Sequence, residues 1–139
     1  MLSNKTAWQL KEAGLFWRPA LHDFFAVPVP GLSERLFVMT DMLVEQAVLQ
    51  GWPAIQFNGA AEWALDYIMQ SDAVWVPTDV QLRQAIHDRL PAAVLNLQAT
   101  NEKALLSVAH EGATMVYEAP VASEAYAQAL LALLEREAA

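Results

Sequence analysis
The sequence predicts an α+β fold in one domain, residues 1–139, with antiparallel sheet that includes a C-terminal three-stranded meander, packed against about four helices. Three observations predict it. Ala92–Ala99, Lys103–His110 and Ala113–Ala119 are short β-prone runs separated by Thr100-Asn101-Glu102 and Glu111-Gly112, turn compositions that join antiparallel neighbours. A helical stretch follows directly, with Tyr126, Leu130, Leu133 and Leu134 on one stripe, which is the order of a sheet covered on one face by a helix. And 139 residues, 55% hydrophobic and 17% charged, with no repeat, low-complexity segment or linker, are the size of one domain with its own core.

From the N-terminus, Asn4 to Gly14 reads as a short helix. Ser3 or Asn4 can cap it, and Gly14 supplies the left-handed stop. His22–Val29 and Glu34–Thr40 read as an antiparallel hairpin around Pro30-Gly31, with Pro28 and Pro30 weakening the first run at its far end. Asp41–Gln50 fits a short helix or a strand equally, and Ala54–Phe57 reads as extended. Asn58 to about Gln70 has a helical pattern: Ala61, Ala64, Leu65 and Ile68 form one stripe, and Trp63 and Tyr67 another. Ala73–Val76 is extended and ends at Pro77. Thr78-Asp79-Val80-Gln81 is a capping box that opens a helix to about Leu90, with Leu82, Ile86 and Leu90 inward and Asp79, Arg83, His87 and Asp88 toward water. In the meander, a two-residue turn at Glu111-Gly112 pairs Val108 with Met115 and Leu106 with Tyr117, all on one face. Ser123 reads as the cap of the last helix, which runs to about Arg136.

Charge narrows the partners. Lys and Arg number 8 against 16 Asp and Glu, a net charge of −8, and no Lys or Arg occurs from Leu36 to Leu82 or from Ala104 to Glu135. A nucleic-acid binder neutralises phosphates with cations, and this chain has few to offer. No apolar run is long enough for a bilayer, and the N-terminal segment lacks the apolar core of a signal peptide, so no membrane is expected and the expected compartment is the cytoplasm. The absence of cysteine fits that compartment.

The chemistry-bearing residues do not assemble into a site. There is no cysteine nucleophile, and none of the five serines lies in a G-x-S-x-G turn. The pairs His22-Asp23, His87-Asp88 and His110-Glu111 each join neighbours that diverge on a strand or helix, so they read as solvated polar residues rather than metal ligands. Glu62 and Asp66 share a helical face and read as a solvated acidic strip. The five glycines are scattered and form no phosphate loop. No catalytic residue, metal or cofactor is therefore expected. Five tryptophans in so little charge point to an aromatic core with an apolar patch left over, for a protein partner or a second copy.

Leu10-Lys11-Glu12-Ala13-Gly14, then paired strands, then Val74-Trp75-Val76-Pro77-Thr78 ahead of a helix, a sheet and an Ala-rich final helix, is an order that resembles small α+β proteins of bacteria and phages. Trp52-Pro53-Ala54 to Tyr67 is similar to short bacterial proteins that sometimes carry a pilus-assembly label. The resemblance covers most of the chain in outline and implies no catalytic residues. Pilus-assembly ATPases need a phosphate loop, which this chain lacks.

These readings converge on a cytoplasmic, non-enzymatic interaction or accessory module. The alternative is a small-molecule binding domain, its pocket lined by Trp63, Tyr67 and Trp75 between sheet and helix. A third reading, an acidic mimic of nucleic acid, requires Asp41, Glu45, Glu62, Asp66, Asp72 and Asp79 to share one exposed face.

Overall fold
A computed structural model describes residues 1–39, 44–49, 52–57, 67–69 and 72–138. The chain is α+β. Its described elements are α1 (Asn4–Glu12), β1 (Phe24–Ala26), β2 (Phe37–Val38), β3 (Val44–Leu49), β4 (Trp52–Phe57), β5 (Tyr67–Met69), β6 (Val74–Val76), α2 (Asp79–Arg89), β7 (Val94–Ala99), β8 (Ala104–His110), β9 (Ala113–Ala119) and α3 (Ala122–Ala138). Two compact units emerge, one of Met1–Leu15 with Pro77–Ala139, the other of Phe16–Val76.

In the first unit, β7, β8 and β9 form an antiparallel meander in that order. Val108 faces Met115 and Leu106 faces Tyr117, the register that the two-residue turn predicts. The turn works because both central residues are left-handed, Glu111 at φ 50° and Gly112 at φ 80°. Such turns match the right-handed twist of the strands they join. Alternation along β8 buries Ala104, Leu106 and Val108. α3 packs across β8 and β9 and against α2 and α1, burying Tyr126, Leu130 and Leu134.

The helix termini explain why these segments are helical. Ser3 Oγ accepts from the Thr6 amide at 3.1 Å, and Gly14 at φ 108° ends the run. Thr78 and Gln81 complete both halves of the capping box, at 3.3 and 2.9 Å. Ser123 does not cap α3. The helix starts at Ala122, which puts Ser123 inside its first turn, buried, with its hydroxyl unpartnered. Glu124 supplies the carboxylate there instead, accepting from the Ser3 amide at 3.0 Å and from the Thr6 hydroxyl at 2.7 Å, and so ties α1 to α3.

In the second unit, β1 is central to a sheet ordered β2-β1-β6. The expected hairpin forms, with Phe24 opposite Val38, but its strands are shorter than the apolar runs. Pro28 and Pro30 cannot donate ladder bonds, so pairing stops before them. A second sheet, β3-β4-β5, settles Asp41–Gln50 as strand over Val44–Leu49. It also corrects the helix expected to about Gln70: Tyr67–Met69 is a strand paired with Ala54–Gln56. Aromatic and β-branched residues beside an open edge of β4 favour long-range pairing over the helical stripe. The rest of that segment, including Trp63, lies outside the described residues. Three helices rather than four are present among the described residues.

The core of this unit gathers Trp17, Phe25, Val27, Met39 and Ala73, with Phe37 and Trp75 packed against it. Phe25 lies 5.6 Å from Trp17 and 5.5 Å from Phe37 between ring centroids. Asp23 is buried beside them, and its Oδ2 accepts from the Trp17 indole N–H at 3.0 Å and from the Ala20 amide at 3.0 Å.

Candidate functional site
The three aromatic residues singled out from the sequence do not share one described location. Tyr67 is in β5, paired with Gln56 of β4. Trp75 is in β6, on the other sheet of the same unit, opposite Phe25, and packs in part against the core with its indole N–H buried and unpartnered. Trp63 lies outside the described residues. Of the six acids proposed as a phosphate-like surface, Asp72 and Asp79 are exposed and Glu45 stands in β3, while Asp41, Glu62 and Asp66 lie outside the described residues. Among the described residues no group of three or more His, Asp or Glu side chains could hold a metal ion.

Two features of the helix–sheet unit carry binding chemistry. The first is the free edge of β9. β9 pairs with β8 on one side, and among the described residues no strand pairs with it on the other. Ala113 to Val116 are all exposed, with Met115 at 49% and Val116 at 60%. Edge strands are ordinarily protected by Pro, Lys, bulges or shortness. β9 has seven residues, unbroken register with β8 and one charge, Glu118. That charge is met by Lys103 at 3.1 Å. His110 and Ala113 flank the turn as a hydrogen-bonded pair, so alternation points the N–H and C=O of Thr114, Val116 and Glu118 outward.

The second is a cavity of about 130 Å³ where α2, α3 and the turn end of the meander meet. Ile86, Leu90, Val108, Met115 and Leu133 form its apolar walls. His110, Tyr117 and Arg136 bring its polar groups. Inward alternation along β8 and β9 places His110, Met115 and Tyr117 on the helix-covered face, and the 3.6-residue period of α3 places Leu133 and Arg136 together. His110 Nε2 stands 3.6 Å from the exposed carboxylate of Glu111. Its Nδ1 is buried without a partner, a state that costs about 1–3 kcal/mol when nothing relieves it. His87, expected to face water, is half-buried, with Nε2 at 3.2 Å from the Ala93 carbonyl.

No family model, curated protein or solved structure matches the chain. Sequence reasoning missed both the edge and the cavity. The edge had a legible signal, since a meander whose last strand leads into a covering helix leaves that strand without an outer neighbour. The cavity had almost none, because its lining comes from four elements spread between Ile86 and Arg136.

Proposed function
We propose that this chain is a non-enzymatic interaction module that pairs edge to edge through β9, its partner a second copy of the same chain. The observation that carries the reading is the exposed, unguarded edge of β9. Antiparallel pairing about a two-fold axis at Val116 sets Thr114 against Glu118 of the second copy, Met115 against Tyr117 and Ala113 against Ala119. The strand is thus self-complementary: hydroxyl meets carboxylate, thioether meets ring, and small meets small. Thr114, Val116 and Glu118 supply about six interchain hydrogen bonds, and two meanders become one continuous six-stranded sheet. Glu118 brings little repulsion, because Lys103 already pairs with it.

Strand pairing with one flanking row of side chains buries less than a standard interface, so a weak dimer is expected, with Kd about 10 μM or weaker. Sedimentation velocity over a hundredfold concentration range tests it. The expected result is a monomer–dimer shift that Val116→Lys abolishes, since a lysine on each strand at the two-fold axis sets like charges opposite each other. A monomer throughout, or a dimer indifferent to Val116→Lys, would overturn the reading. The cavity favours a second activity, small-molecule binding, which does not depend on the edge.

A further inference from the structure
The geometry points to the cavity between α2, α3 and the meander as a binding site for a small carboxylate with a ring-sized apolar body. Size sets the body. An apolar cavity of about 150 Å³ accepts benzene, and this one holds about 130 Å³ within walls that include Ile86, Leu90, Val108 and Leu133. The polar groups set the charge. Arg136 lines the cavity and is itself exposed, so its guanidinium can reach a ligand at the mouth. In a chain of net charge −8, a cation beside so many acids would ordinarily be paired. Its neighbour Glu137 is taken, bound to Arg89 at 3.0 Å, and among the described residues no ion pair involves Arg136. A guanidinium offers the planar fork that carboxylates fit. His110 adds a second nitrogen donor or acceptor on the opposite wall, with its Nδ1 unpartnered. An apolar cavity lined by one cation and one imidazole selects an anionic, monocyclic or similarly compact ligand over a neutral or cationic one.

Benzoate, toluene and benzylammonium are the probes, titrated into isotope-labelled protein and followed by amide and methyl chemical shifts. Benzoate is expected to bind with Kd about 1 mM or tighter, shifting signals around Ile86, His110, Tyr117 and Leu133. Benzylammonium, of the same shape and opposite charge, is expected to bind at least about tenfold more weakly. Arg136→Gln should weaken benzoate about tenfold and leave toluene unchanged, because it removes the fork and keeps the walls. Toluene binding also reports that the variant is folded. Leu133→Trp, which fills the cavity, should abolish binding of both. Absence of localised shifts with all three probes, equal affinity for benzoate and benzylammonium, or benzoate binding indifferent to Arg136→Gln would each overturn the assignment. Repeating the titration in Val116→Lys keeps the result separate from the fate of β9 pairing.

Discussion
Replacing Asp23 tests the energetics of the second unit at one atom. Its Oδ2 accepts from two donors, the Trp17 indole and the Ala20 amide, each at 3.0 Å. The two donors differ in what they lose. Ala20 is exposed, so water replaces the carboxylate there. Trp17 is buried, so its N–H is left without water or partner. A hydrogen bond to a charged group contributes about 1.5–3 kcal/mol, and an orphaned buried donor costs about 1–3 kcal/mol. Relief of the desolvation of the carboxylate of Asp23, a residue only 6% exposed, offsets part of this. Asp23→Ala is therefore expected to cost about 2–3 kcal/mol, and Asp23→Asn, which keeps a neutral acceptor, about 1 kcal/mol. Trp17→Phe removes the donor and keeps the ring against Phe25. A double-mutant cycle of Asp23→Ala with Trp17→Phe isolates the bond, with about 1–2 kcal/mol of coupling expected. Urea unfolding with constant m-values provides the four free energies. Coupling below about 0.3 kcal/mol, the usual limit for independent sites, would refute the claim that this bond stabilises the second unit.

Leu106→Ala opens a cavity at the centre of the meander, where Leu106 is fully buried opposite Leu97 and Tyr117; a loss of about 3–4 kcal/mol in urea unfolding is expected. Glu111→Asn should stabilise the hairpin by about 0.5 kcal/mol, because Asn tolerates the left-handed φ of 50° better and Asn-Gly is the preferred pair for this turn. Gly112→Ala, at φ 80°, should instead cost about 1–2 kcal/mol, and differential scanning calorimetry of both variants distinguishes the signs. Under the single-domain reading of residues 1–139, unfolding followed by far-ultraviolet circular dichroism and by tryptophan fluorescence should coincide in midpoint; separated midpoints would mean that the two units unfold independently.

The parts of the fold legible in the sequence are those set by local chemistry. Glu111-Gly112 dictates the tight turn, and the turn dictates the Val108–Met115 register. Thr78 and Gln81 carry their capping box in four consecutive residues. Ser123 misled because a serine before an apolar stripe looks like a cap, whereas the helix starts two residues earlier than that cap implies, at Ala122, and takes its N-terminal carboxylate contact from Glu124. Tyr67–Met69 misled for a different reason. Its residues fit a helical stripe, and what decided for strand was pairing with β4, a contact that periodicity does not contain. The candidate sites were hidden in the same way. His110 looked like one member of a scattered acid–histidine set, and its position on the helix-covered face, lining the same cavity as Arg136, is a product of tertiary packing. Val116 looked like an ordinary strand residue; its side chain lies on the face away from α3, and its outward backbone groups are open because no described strand pairs with β9 on that side.

The central claim is a register, and a register can be trapped. The chain contains no cysteine, so a single introduced thiol can form a disulfide only with another copy. Val116→Cys sets two thiols opposite each other on the two-fold axis, with Cα atoms about 5.5 Å apart, within disulfide range. Thr114→Cys alone puts its thiols four residues out of step, about 13 Å apart, out of range. Under mild oxidation the account predicts rapid dimer formation by Val116→Cys, none by Thr114→Cys alone, and recovery of the crosslink when Thr114→Cys is mixed with Glu118→Cys. Equal crosslinking by Val116→Cys, Thr114→Cys and a control thiol at the exposed Arg83, or none by any of them, would contradict pairing through β9.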